Sequence, residues 1–240
     1  MTSFLLEIGT EEMPASFLQQ AISQLNEKVK YDFDRVRLTY EEILCTCTPR
    51  RLILFVSDIS LYAKDIIKEQ KGPPVSSAFI DGEATKAAIG FATRCGLTPD
   101  QLEVKQTNKG KFVFAKSIEK GKSTEDLLAD LIPCWIDSLQ GKRFMKWGRG
   151  ERKFSRPIRW IVSLLDEKLI SFPLENCDPD IKTSNISRGH RLFEKEIVIN
   201  SSDEYLDKLL LNGVEINRDK RKETIKTQIS DFSLKEKCFF

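Results

Sequence analysis

Residues 142–165 read KRFMKWGRGERKFSRPIRWIVSLL, and the change of character near Pro157 organises the whole chain. Ile158–Leu165 is short and mostly apolar, the pattern of a central strand covered on both faces. Asp166-Glu167 turns the chain, and Leu169–Leu174 is expected to return as the second arm of a hairpin. Ahead of this strand the sequence is polar, charged and aromatic in alternation, which suits a long surface loop.

From Lys142 to Trp160 there are eight cations (Lys142, Arg143, Lys146, Arg149, Arg152, Lys153, Arg156 and Arg159) and one acid, Glu151. This segment carries +7 in a chain whose net charge is +2, so the remainder sums to −5. Phe144, Trp147, Phe154 and Trp160 are interleaved with the cations. Fixed cations attract a polyanion, and aromatic or guanidinium faces stack on unpaired bases. RNA contact is the first functional expectation. The competing reading is a solvated basic surface with its aromatics in the core. The pI near 8.1 is mild, so polyanion binding must come from local patches.

Outward from this stretch, Phe4–Ile8 reads as a buried strand. Pro14 suits the first position of a helix whose apolar face is Phe17, Leu18, Ala21, Ile22, Leu25 and Val29. Arg51–Ile59 reads as a strand, and Lys71-Gly72-Pro73-Pro74 as a break at a domain edge. A helix is expected around Thr85–Cys95, with Gly96 as its stop. Leu102–Thr107 and Lys111–Ile118 form a hairpin across Asn108-Lys109-Gly110. Ser123 and Asp126 make a capping box for a helix that Pro133 should kink and Gly141 can end. Ile197–Asn200 is a further strand. Ser201–Glu204 caps a helix reaching Leu211, and Asp219–Ile229 is a charged helix. Helices and strands mix without a regular βαβ rhythm, which predicts an α+β fold of mixed sheets, packed helices and two β-hairpins. The expected divisions are an N-terminal portion at 1–72 that can pair with 150–200, a helix and hairpin module at 73–148, a β-hairpin portion at 149–200, and the start of a helical region at 201–240.

Several function classes are excluded or disfavoured. No apolar run approaches the roughly 20 residues of a membrane span. The N-terminus lacks the basic start of a signal peptide, and six scattered cysteines then read as reduced cytoplasmic thiols. Gly121-Lys122-Ser123 resembles the end of a P-loop but lacks the earlier glycine, where Lys116 stands. Lys109–Phe114 echoes an RNA-recognition motif without its register. Cys45 and Cys47 are too close for zinc, and with one histidine no metal site is expected. Glu7, Glu11 and Glu12 suggest a cation site, but Glu11 and Glu12 suit a helix N-terminus better. His190 has no assignable nucleophile or carboxylate partner, so a structural or RNA-contacting imidazole is the expectation. No catalytic constellation is complete.

An ordered set of short motifs resembles a known family. Phe4–Pro14 (FLLEIGTEEMP) is similar to the opening of the large (β) subunit of bacterial heterotetrameric glycyl-tRNA synthetase. Thr48-Pro49-Arg50-Arg51-Leu52, Lys71-Gly72-Pro73, Lys86–Ala92 and Lys109-Gly110-Lys111 follow in family order. Phe144–Gly148, Phe154–Trp160 and Gly189–Phe193 complete the set. The resemblance implies a non-catalytic subunit of a glycine–tRNA ligase. ATP and Mg2+ are expected on the small α subunit, none on this chain. The implied partners are that α subunit, tRNA(Gly) and a second β chain, in a tetramer of two α and two β in the cytoplasm. A stand-alone RNA-binding remnant and an assembly scaffold are the alternatives. The family's β subunit runs several hundred residues further, so this chain, ending in Ser233–Phe240 with two phenylalanines, reads as its truncated N-terminal portion. On this basis Lys142, Lys146, Arg149, Arg152 and Arg156 are expected to meet tRNA phosphates. Arg50 and Arg51 are expected to meet RNA phosphate or an acidic subunit surface. Trp147 and His190 complete the candidate tRNA contacts, while Trp160 is expected to point into the core.

Overall fold

A computed structural model describes residues 2–80, 82–192 and 196–236. Phe193 of the last family landmark, Cys238 and the terminal Phe239 and Phe240 lie outside the described residues. In chain order the elements are β1 (Phe4–Thr10), α1 (Ala15–Val36), β2 (Glu42–Thr48), β3 (Arg51–Ser57), β4 (Ile66–Pro74), α2 (Val75–Ala78), β5 (Phe79–Ile80) and β6 (Glu83–Ala84). Then follow α3 (Lys86–Arg94), β7 (Glu103–Thr107), β8 (Gly110–Glu119), α4 (Thr124–Ser138), β9 (Ile158–Leu165), β10 (Lys168–Leu169), β11 (Thr183–Ser184), β12 (Ile186–Arg188), β13 (Glu196–Val198), α5 (Tyr205–Leu211) and α6 (Arg218–Glu236). The fold is α+β, with helices packed on antiparallel sheets. Two compact units result, one of residues 1–61 with 123–240 and the other of residues 62–122.

The first unit is built on a sheet in the order β10-β9-β1-β3-β2, with β11 added in parallel to β9. β1 is buried throughout, its charged Glu7 included, because it lies between β9 and β3. Side chains alternate across a strand, so successive residues of β1 serve two different cores. Leu5 joins Ile53, Trp160, Val162, Leu164, Ile197, Tyr205, Leu209, Val214 and Ile216 in one cluster. Phe4, Leu6 and Ile8 point the other way, to the face that α1 covers. The helix brings Phe17, Leu18, Ala21, Leu25 and Val29 to that face at helical spacing, as expected, with Phe33 joining them and the expected Ile22 only half-buried. Pro14 stands just before the helix with extended backbone, one position earlier than expected.

Ser123 caps as expected, its hydroxyl accepting from the Asp126 amide at 3.1 Å, while Asp126 meets the Ser123 hydroxyl and does not complete the reciprocal half of the box. The helix it opens differs from expectation beyond that point. It runs through Pro133 to Ser138 and stops before Gly141. Ile132, Trp135 and Ile136 around the proline are all fully buried, and this packing holds the turn. The second hairpin arm also differs: strand pairing with β9 covers only Lys168–Leu169, with one further bond from the Ile170 amide to Ser163 O (3.0 Å), although Ile170, Phe172 and Leu174 are buried as a strand's would be.

In the second unit β4, β8 and β7 form a three-stranded antiparallel sheet, with β8 in the middle. The β7–β8 hairpin turns where the sequence predicts. Val113 and Ala115 on one face pack against Ala78, Ala88 and Phe91 of α2 and α3. Lys71-Gly72-Pro73-Pro74, expected as a break, instead completes β4. The register shifts between Lys71 and Pro74, and this bulge at the strand end accommodates residues that cannot donate to the ladder. A Cβ at Gly72 would stand 2.5 Å from the Phe91 ring, so the strand needs glycine here. The units divide at residues 62 and 122, whereas the sequence suggested edges at 72, 148 and 200.

Candidate nucleic-acid interface

One end of the large sheet gathers three loops. The Thr10 amide donates to Arg50 O (2.8 Å), Met13 to Pro49 O (2.7 Å) and Glu11 to Pro157 O (3.2 Å). These bonds tie the exit of β1, the β2–β3 turn and the entry to β9 into one rim. Trp160 turns inward beneath it, 6% exposed, with its indole against Gly9. The guanidinium groups of Arg50, Arg51 and Arg188 stand 5.9, 5.7 and 5.0 Å from the Trp160 ring centre. Such stacking orients planar cations while leaving their edges for hydrogen bonding.

Arg51 is inside the fold. It is 3% exposed, its Nε lies 3.4 Å from Glu7 Oε1, and its Nη2 donates to Arg188 O at 2.9 Å. The other oxygen of Glu7 accepts from Ser187 Oγ at 2.5 Å. Tyr205 is buried beside this pair without a hydrogen bond of ordinary geometry at its hydroxyl. Burial, reinforced by the charge of Glu7, pushes the Tyr205 phenol well above its ordinary pKa. Nε of Arg50 and Nη1 of Arg51 are buried and have no hydrogen-bond partner.

These arginines open on a cavity of about 550 Å³. Thr48, Pro49, Arg50 and Arg51 form one wall, and Gly189, His190 and Arg191 another. The connection from α5 to α6 closes it with Gly213, Val214 and Glu215, and the first turn of α6 with Arg221. The His190 amide donates to Asn212 O (3.0 Å), and its Nδ1 accepts from the Leu192 amide (3.3 Å), which fixes that loop. Arg221 Nη1 donates to Glu215 O at 2.6 Å. Arg159 pairs with Glu11 at 2.7 Å and Arg191 with Glu12 at 2.9 Å. Glu11 and Glu12 thus precede the first turn of α1, which holds no acid, and balance the arginines of this rim. That arrangement replaces both readings of these acids offered by the sequence.

The basic loop 142–157 lies before β9. Phe144, Phe154 and Phe17 of α1 form a three-ring cluster with centres 5.5–5.8 Å apart, which pins the loop to the helix. Lys142, Arg143, Lys146, Arg149 and Lys153 are exposed. Lys146 pairs with the exposed Glu151, and such a surface pair yields readily to a stronger anion. The Arg149 amide donates to Asp178 Oδ2 at 2.5 Å, leaving its side chain outward. Arg156 is half-buried, with Nη1 on Ser155 O at 2.9 Å. Arg152 is held internally by Asp137 and by Glu175 O, its side chain 9% exposed. Trp147 is half-buried, and its indole N–H is enclosed without a partner.

The sequence-predicted residues therefore fall into two groups. Arg50, Arg51 and His190 line the cavity, whereas Lys142, Lys146, Trp147, Arg149, Arg152 and Arg156 belong to the loop. Sequence reasoning missed Arg221 and Glu215. No local motif links α6 to the β2–β3 turn, because only the tertiary fold brings residues this far apart together. Among the described residues no group of three or more His, Cys, Asp or Glu could hold a metal. No helix among them is long and apolar enough to cross a membrane. Cys45 and Cys47 are half-buried on β2, and burial pushes the Cys45 thiol up to about 12.

A family model described as the glycyl-tRNA synthetase beta subunit matches residues 4–238. A glycine–tRNA ligase beta subunit of Acaryochloris marina is 43% identical over 230 residues, covering 95% of this chain and 32% of that protein. The corresponding proteins of Gloeothece citriformis (40% identity, 95% and 32% covered) and Clostridioides difficile (39% identity, 95% and 33% covered) are similar to it as well. The chain spans about a third of the length of the curated relatives it matches.

Proposed function

We propose, from the premise that this chain belongs to the glycyl-tRNA synthetase beta subunit family, that it is the N-terminal portion of a glycine–tRNA ligase β subunit. In this reading it supports the ATP-dependent attachment of glycine to tRNA(Gly) in the cytoplasm. It does so by holding tRNA and by assembling with the catalytic α subunit, in a tetramer of two α and two β chains. ATP and Mg2+ act on the α subunit, and no residue here is assigned to them. The carrying observation is the basic surface of the 142–157 loop beside the arginine-rich rim, in a chain of this family.

Lys142, Lys146, Arg149 and Arg156 supply the phosphate contacts of the loop, and Arg50 and His190 those of the rim. Arg51 and Arg152 are enclosed, so each acts mainly by positioning: Arg51 carries the β12 backbone, and Arg152 fixes the loop to α4. Trp147 offers its exposed edge to a base. Mixing the chain with a glycyl-tRNA synthetase α subunit, glycine, ATP, Mg2+ and tRNA(Gly) tests the reading. Glycine attached to tRNA beyond what α gives alone, with copurification of the two chains, is the expected result. Identical charging with and without the chain, and no copurification, contradicts it.

A further inference from the structure

We propose that the 550 Å³ cavity between the β2–β3 turn, the 189–191 loop and the start of α6 is a binding site for the phosphate group of a nucleotide. Its volume falls within the roughly 300–1,000 Å³ typical of small-molecule sites, ample for one nucleotide. Four arginines (Arg50, Arg51, Arg191, Arg221) and two glutamates (Glu12, Glu215) line it. Glu7 offsets Arg51 from behind the wall, Glu12 offsets Arg191, and the lining keeps a positive excess.

The donors favour an anion more strongly than the charge count does. Arg51 is 97% buried and lines the cavity, yet its Nη1 has no hydrogen-bond partner, and neither has Nε of Arg50. Both atoms are closed off in the free chain, so a small turn of each guanidinium toward the cavity is what pairs it with an incoming oxygen. Trp160, Glu7 and the Arg188 carbonyl hold the two guanidinium groups in place before any ligand arrives. Planar forks fixed in this way suit the several oxygens of a phosphate. Gly189, Gly213 and Val214 leave the remaining space unobstructed and apolar, as a ribose or base edge requires.

The phosphate can come from a free nucleotide or from an RNA end. Only the RNA source rests on the tRNA reading above. The test uses the chain without any α subunit, so it is separable from the charging experiment. AMP, adenosine and inorganic phosphate are titrated calorimetrically, with tryptophan fluorescence as a second readout because Trp160 abuts both arginines. Two matched RNA oligonucleotides, with and without a 5′-phosphate, form the other arm. AMP binding at least about tenfold tighter than adenosine, weakened about tenfold or more by Arg50→Gln, establishes the site with a free nucleotide as source. The same phosphate dependence and sensitivity in the oligonucleotides alone establishes it with RNA as source. Equal binding of the phosphorylated and unphosphorylated probes overturns the proposal, as does no binding of any. Unchanged binding in the variant overturns it too. Arg221→Gln, half-buried at the start of α6, carries the same comparison if Arg50→Gln fails to fold.

Discussion

Glu7 and Arg51 illustrate how a charged pair earns its place inside β1 and β3. Each would be costly alone in an apolar core; the ion pair offsets the two charges, and Ser187 and the Arg188 carbonyl add one hydrogen bond to each partner. Removing one partner leaves the other buried and unpaired. Arg51→Ala is therefore expected to destabilise the chain by about 3–5 kcal/mol, read as a lower urea midpoint. Asp32 is a second buried acid, 1% exposed, on the inner face of α1. Burial would raise its pKa, but hydrogen bonds from Lys28, Trp135 and Arg35 outweigh that and hold it below 3.8. The folded chain thus prefers the ionised carboxylate. Its contribution is complete above the unfolded value and disappears as pH falls through the lower folded one. Asp32→Asn is expected to cost about 1–3 kcal/mol at neutral pH. It should also flatten the decline in stability below about pH 4, measured by denaturant unfolding across an acid series.

At the scale of elements, β1 and β9 are held in register by a glycine against a tryptophan. Gly9 faces Trp160 across the pair, and a Cβ at position 9 would stand 1.9 Å from the indole. Gly9→Ala is expected to force the ring aside and cost about 1–3 kcal/mol or more, lowering the melting temperature by several degrees. The apolar run of β9 and the stripe of α1 were legible in sequence because both patterns are local and strongly periodic. The β7–β8 hairpin was legible because Asn108-Lys109-Gly110 has turn chemistry. Lys71–Pro74 misled because glycine and proline ordinarily punctuate. Here a bulge absorbs the prolines, and the Phe91 ring demands the glycine. Pro133 misled for a similar reason, since buried neighbours on both sides keep α4 continuous. At the site, the density of charge at 142–156 was visible, but the inward turn of Arg51 and Arg152 was not. Their partners Glu7, Arg188, Asp137 and Glu175 become neighbours only through tertiary packing.

Across the whole molecule, a net charge of +2 conceals a strongly uneven distribution. The exposed cations before β9 and the arginines of the sheet rim belong to the same unit. Binding that rests on phosphate contacts releases counterions, so it must weaken as salt rises. Charge reversal at Lys146 and Arg149 should reduce affinity alike for different RNA sequences, because phosphate contacts carry no base information. The most direct measurement is the affinity of this chain for tRNA(Gly) over a range of salt concentrations, for the native sequence and for the Lys146→Glu, Arg149→Glu double variant. Five contacts from Arg50, Lys142, Lys146, Arg149 and Arg156 predict a slope of log K against log salt of about −3 to −5, shallower by roughly 1–2 in the double variant. An affinity independent of salt, or a slope the two reversals leave unchanged, would contradict the proposed tRNA-holding role.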